Sequence, residues 1–137
     1  MITFHSLLKF VPAFETEISK WIEFTIDQEK REMGEIAYVF CKDDYLMEKN
    51  VKYLKHNTLT DVISFDYSLG TVISGDIYIS VDRVADNADE LNIAFNDELQ
   101  RVMIHGILHF CGYNDKTEDD RAIIRSKEDY YLSLRTF

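Results

Sequence analysis

The sequence predicts an α+β fold: a small mixed β-sheet with a β-hairpin, packed by several α-helices. Three observations predict it. Apolar residues recur at helical spacing in some stretches, such as Phe14, Ile18, Trp21, Ile22 and Ile26, while strand formers crowd others, such as residues 35–41 (EIAYVFC). Residues 60–65 (TDVISF) and 75–80 (GDIYIS) both read as strands, and the stretch between them is too short for a crossover helix, so they pair as a hairpin. With only 5 Gly and 1 Pro in 137 residues, the connections are short and most of the chain is regular.

In chain order, Ile2, Phe4 and Ser6 alternate with opposite-face residues and mark a first strand. Pro12 fits the first turn of a helix whose polar surface carries Glu15, Glu17, Lys20 and Glu23. Gly34 ends the polar connection to the strand at 35–41, and Asp43 caps a short helix reaching about Val51, with Tyr45, Leu46 and Asn50 on related faces. After the hairpin, Asp82 caps a helix that runs to about Leu91. Asn96 opens another, with Asp97 and Glu98 at its positive end and Gly112 just past its finish. Thr117-Glu118-Asp119-Asp120 has the form of a capping box, and Ile123, Ile124, Tyr131 and Leu134 indicate a C-terminal helix. There is no internal repeat, low-complexity tract or linker, so residues 1–137 read as a single domain.

A hydrophobic fraction of 46% is ample for a core, yet no apolar run approaches the roughly 18 residues a membrane span needs. The opening Met1-Ile2-Thr3-Phe4-His5 lacks the basic patch and apolar stretch of a secretory leader. Cys41 and Cys111 lie far apart in apolar surroundings with no C-x-x-C pair, so both read as reduced core thiols and the expected compartment is the cytoplasm. A net charge of -10 argues against a broad, sequence-indifferent nucleic-acid surface; an enzyme acting on nucleic acid would have to concentrate its positive charge locally.

The segment from His105 to Asp115 carries the chemistry. Helical residues four apart stack on one face, so His105 and His109 can aim two imidazoles at one point. Gly112 can take the left-handed conformation that stops the helix and turns the chain, returning Asp115 as an oxygen ligand. Two nitrogens, one carboxylate and an open position describe a catalytic zinc site rather than a closed structural one. Gly106 stands where a zinc protease of H-E-x-x-H type has its general-base Glu, and glycine cannot take a proton from water. Asp61 and Asp76 read as capping, turn or strand-end residues, and His5 and His56 have no ligand spacing.

These residues resemble a known family. The segment 105–115 is similar to the signature H-G-x-L-H-x-x-G-Y-D-H of the YbeY family, single-strand-specific endoribonucleases also called rRNA maturation factors; His105, Gly106, Leu108, His109, Gly112 and Tyr113 match. A second block, T-D-V-[LI]-S-F followed by G-D-I, is met at Thr60-Asp61-Val62-Ile63-Ser64-Phe65 and Gly75-Asp76-Ile77. Two departures stand out. The third histidine of the signature falls at Asp115 and its preceding Asp at Asn114, and in the upstream motif L-N-x-x-Y-R, aligned on Lys49-Asn50-Val51-Lys52-Tyr53-Leu54, the arginine that faces RNA phosphate becomes Leu54. Leucine cannot perform that role, and Lys52 and Lys55 are the nearby substitutes, with Lys49 and His56 adding positive charge.

The resemblance implies a metal-dependent hydrolysis of single-stranded RNA, with zinc or another divalent ion on His105, His109 and Asp115. It further implies work on small-subunit ribosomal RNA and contact with ribosomal proteins or a ribosome-associated GTPase. Two other readings remain open: a zinc metalloprotease-like hydrolase, against which Gly106 speaks, and a non-catalytic ribosome-assembly factor whose metal only ties a helix to its turn.

Overall fold

Strand formers placed two apart give this chain a sheet with two different apolar faces. The computed structural model describes residues 1–54 and 60–137, the side chains of Tyr53 and Leu54 excepted; Lys55 and His56 lie outside the described residues. Four strands, β1 (Ile2–Ser6), β2 (Glu32–Cys41), β3 (Val62–Asp66) and β4 (Val72–Ser80), line up in the order β1-β2-β4-β3. The first three neighbours in that order run parallel, while β3 runs antiparallel to β4, with Ser64 opposite Ile77. The mixed sheet and the hairpin are as the sequence predicts.

Five helices complete the described residues: α1 (Glu15–Gln28), α2 (Asp43–Leu54), α3 (Val81–Leu91), α4 (Phe95–Phe110) and α5 (Glu118–Ser133). Ile36, Tyr38, Phe40, Ile73, Ile77 and Ile79 turn one sheet face toward α1 and α4, whose Ile18, Ile22, Met103, Ile104 and Ile107 close the main core. Cys41 and Ile63 point the other way and pack on Leu46 of α2. Both cysteines are buried free thiols, as expected, and burial pushes Cys41 up to about 12 and Cys111 up to about 11. Among the described residues no helix is long and apolar enough to cross a membrane.

Several boundaries differ from the sequence reading, each for a local reason. Pro12 precedes α1 instead of opening it: Phe14 adopts a left-handed φ of 65° and the helix starts at Glu15. Gly34 lies inside β2, at a break in register between Met33 and Ile36, because Glu32 and Met33 already pair with Val72 and Ile73. The N-cap of α3 is Ser80, whose hydroxyl accepts from the Arg83 N–H at 3.1 Å, and Asp82 sits in the first turn. Asp43 is likewise inside α2, where its carboxylate accepts from the Ser80 hydroxyl and the Arg83 guanidinium, each at 2.8 Å. Ile123 is 54% exposed and Leu134 follows the end of α5, so Ile124 and Tyr131 make that helix's apolar stripe.

Helix α4 is the element that positions the site. It is sixteen residues long and buried along most of its circumference, with Val102, Met103, Ile104, Gly106, Ile107 and Leu108 all inside. A Cβ on Gly106 would come within 2.8 Å of the Ile77 side chain, so the missing side chain lets α4 lie close on β4.

Candidate metal centre and its cleft

One face of α4 escapes burial and carries His105 and His109, one turn apart. Their Nε2 atoms lie 2.9 Å from each other, and Asp115 Oδ2 lies 3.2 Å from His109 Nε2 and 3.5 Å from His105 Nε2. The three ligand atoms all fall within 4.8 Å of one another, the arrangement of a group able to hold a metal ion. The sequence-predicted trio is therefore brought together.

The turn that delivers Asp115 follows from the end of α4. Gly112 sits at a φ of 106°, a left-handed conformation that costs a side chain dearly. Its N–H donates to the His109 carbonyl at 3.0 Å, and the Tyr113 N–H donates to the Leu108 carbonyl at 3.1 Å. Those two bonds form a Schellman cap and reverse the chain. Arg121 then donates to the carbonyls of Asp115 and Lys116, and Thr117 caps α5 in the reciprocal box with Asp120 that the sequence predicts.

Each imidazole is held from behind. His105 Nδ1 lies 2.6 Å from Glu128 Oε2, and His109 Nδ1 lies 2.8 Å from the Tyr113 carbonyl. Both partners are acceptors, so both Nδ1 atoms carry the hydrogen and both Nε2 lone pairs face the shared point. Two nitrogen lone pairs and a carboxylate oxygen so close together repel unless a cation or a proton lies among them. This donor set fits a divalent metal with imidazole and carboxylate preference. Burial disfavours a charged His105, yet Glu128, Asp115 and Asp61 outweigh it and raise its pKa. A proton and a metal thus compete for the same point.

Glu128 on α5 was not legible as a functional residue. It is buried, accepts from Arg101 at 3.0 Å through its other oxygen, and so links Arg101 to His105. Its signal in the sequence is a carboxylate on the apolar stripe of a helix, four residues after Ile124 and three before Tyr131. Beside the centre, α4, α5 and the start of β3 enclose a cleft lined by Asp61, Glu98, Arg101, Arg121 and Arg125 as well as His105 and Asp115. Three arginines there were also missed, since they are scattered along the sequence and meet only when α4 packs on α5.

Lys52 is elsewhere. It lies exposed on α2, in a shallow depression shared with Tyr45, Glu48 and Lys49, and does not line the cleft of the metal centre. Asp61 does line that cleft: its backbone carbonyl accepts from the Ser80 N–H at 2.9 Å and its carboxylate accepts from Asn87 at 3.3 Å. Burial raises its pKa.

With this geometry in hand, comparison with known proteins is decisive. The sequence model of the family described as Endoribonuclease YbeY matches residues 5–135. The chain belongs to the YbeY family. A YbeY endoribonuclease from Flavobacterium psychrophilum is 54% identical over 134 residues, 98% of this chain and 96% of the relative. One from Flavobacterium johnsoniae is 49% identical over the same shares, and one from Bacteroides thetaiotaomicron is 44% identical over 87% of each chain. The solution structure of TM1509 from Thermotoga maritima shares the fold, with a TM-score of 0.68 at 24% identity, over 97% of this chain and 87% of that one. Within the YbeY frame, the signature helix is α4 and the T-D-V-[LI]-S-F block is the entry to β3.

Proposed function

We propose that this chain is a metal-dependent endoribonuclease that hydrolyses single-stranded RNA at the centre built by His105, His109 and Asp115. The observation that carries the reading is the convergence of those three ligand atoms, within 4.8 Å, in a member of a family of endoribonucleases. Zinc suits the two imidazoles and the carboxylate best, one ion per chain. When bound there, a divalent ion supplies Lewis acidity toward water and toward a phosphoryl oxygen. The chain's own residues do the rest. Glu128 and the Tyr113 carbonyl keep the two Nε2 atoms aimed inward, and Asp115 adds negative charge that retains a cation.

The proposed setting is maturation of small-subunit ribosomal RNA in the cytoplasm, alongside ribosomal proteins or a ribosome-associated GTPase, with residues 1–137 acting as one domain. Lys52, which lies away from the cleft, and Lys55 are proposed as contacts for the RNA backbone. Gly106 disfavours a protease: its α-carbon faces Ile77, so even a glutamate there would be driven into the core and away from the centre.

Ligand substitution tests the reading. His109→Ala should lose both stoichiometric metal binding and RNA cleavage, measured on protein purified free of contaminating nuclease and with a peptide substrate as control. Wild-type metal content with undiminished cleavage would refute it. Peptide cleavage that chelation abolishes would favour a protease instead.

A further inference from the structure

The cleft beside the metal centre is larger than an ion and its waters require. Its volume is about 400 Å³, within the range of small-molecule sites. Val62, Val102 and Ile124 give it apolar walls. Glu98 lies on the same face of α4 as His105, two helical turns earlier, so the two are about 10 Å apart along the axis. That residue is 5% exposed, and its Oε1 has no hydrogen-bond partner. A buried oxygen left unmet by the fold calls for a donor from a ligand.

The neighbouring Arg101 does not supply it, because its guanidinium is committed to Glu128 at 3.0 Å and Asp129 at 2.7 Å. Two further arginines are better placed for a ligand. Arg125 is 56% exposed along its side chain and only 3.9 Å from a Glu128 oxygen that Arg101 already occupies. Arg121 engages backbone carbonyls through Nη1, at 3.3 and 3.2 Å. In a chain of net charge -10, positive charge at the mouth of this cleft is placed, not general.

We propose that this cleft is a nucleotide subsite, holding one base of the RNA between Val62, Val102 and Ile124 with its amino edge on Glu98 and its phosphate on Arg121 and Arg125. The proposal rests on the endoribonuclease reading and adds a base preference to it. Adenine, cytosine and guanine carry an exocyclic amino donor, and uracil does not. A carboxyl group keeps an accepting oxygen in either protonation state, so the preference does not depend on its charge. Burial, and next the carboxylate of Asp61, raise the Glu98 pKa.

Titration of the metal-loaded chain with AMP, CMP, GMP and UMP, followed by calorimetry, tests it. At least one amino-bearing monophosphate should bind about tenfold or more tightly than UMP. In Glu98→Met, which removes both carboxyl oxygens at a similar volume, that preference should fall at least about threefold, with metal content and melting temperature kept. Arg125→Ala should weaken all the nucleotides about equally. Equal binding of the four by the wild-type chain, or a wild-type preference in Glu98→Met, would overturn the subsite. RNA cleavage without nucleotide preference defeats the subsite and leaves the nuclease reading; selective nucleotide binding without any cleavage defeats the nuclease reading.

Discussion

At His105 the ring is oriented by a residue that never meets the shared point. Glu128 holds Nδ1 at 2.6 Å and is itself held by Arg101, so the imidazole presents Nε2 as a lone pair. Partners of this kind typically carry about 10–100-fold of metal affinity. Glu128→Gln keeps the shape and loses the charge, and we expect metal affinity to fall within that range in competition against a chromophoric chelator; an unchanged affinity would mean that the carboxylate only fills space. The histidines were legible because helical spacing is written in the sequence, and Asp115 because a glycine sits between it and them. Glu128 was not, because its partner lies 23 residues away on another helix and contact across helices leaves no local pattern.

The element that makes the site is the turn between α4 and α5. Its backbone is fixed by the Gly112 cap, and its side is pinned by Tyr113, whose hydroxyl donates to Glu29 Oε1 at 2.7 Å just past the end of α1. Glu29 also accepts from the Tyr131 hydroxyl and lies 3.6 Å from the Lys127 ammonium. Burial would raise the Glu29 pKa, but the Tyr131 and Tyr113 hydroxyls and Lys127 outweigh it and bring it below the ordinary 4.5. The unfolded chain therefore binds the proton more readily, and ionised Glu29 stabilises the fold fully above that ordinary value. The contribution fades as pH falls through the lowered value. Glu29→Gln should melt below the wild type at about pH 7, and the gap should shrink in acid below the ordinary Glu value; a gap that persists unchanged there would contradict the assignment. Element types were readable from periodicity, while several ends were not. Strand pairing drew polar Glu32 into β2, and Ser80 took the cap assigned to Asp82 because its hydroxyl faces the Arg83 N–H.

Across the whole molecule, the acidic chain gathers some of its cations in two depressions. Arg101, Arg121 and Arg125 gather at the metal-centre cleft, and Lys49 and Lys52 line a depression on α2. Charge totals read from sequence cannot show such placement, and the order β1-β2-β4-β3 was equally hidden, since nothing local says that β2 and β4 run parallel side by side. The hairpin was legible because a short connection permits little else. If Lys52 and Lys55 hold RNA, Lys52→Ala combined with Lys55→Ala should weaken RNA binding more at low salt than at high salt. Affinity unchanged from the wild type at both salts would remove them from the interface. The central claim is that one ion sits among His105, His109 and Asp115, and an anomalous-scattering map of zinc-loaded crystals tests it most directly. It should show a single peak within bonding distance of both Nε2 atoms and the Asp115 carboxylate; a peak held by other residues, with none among these three, would contradict it.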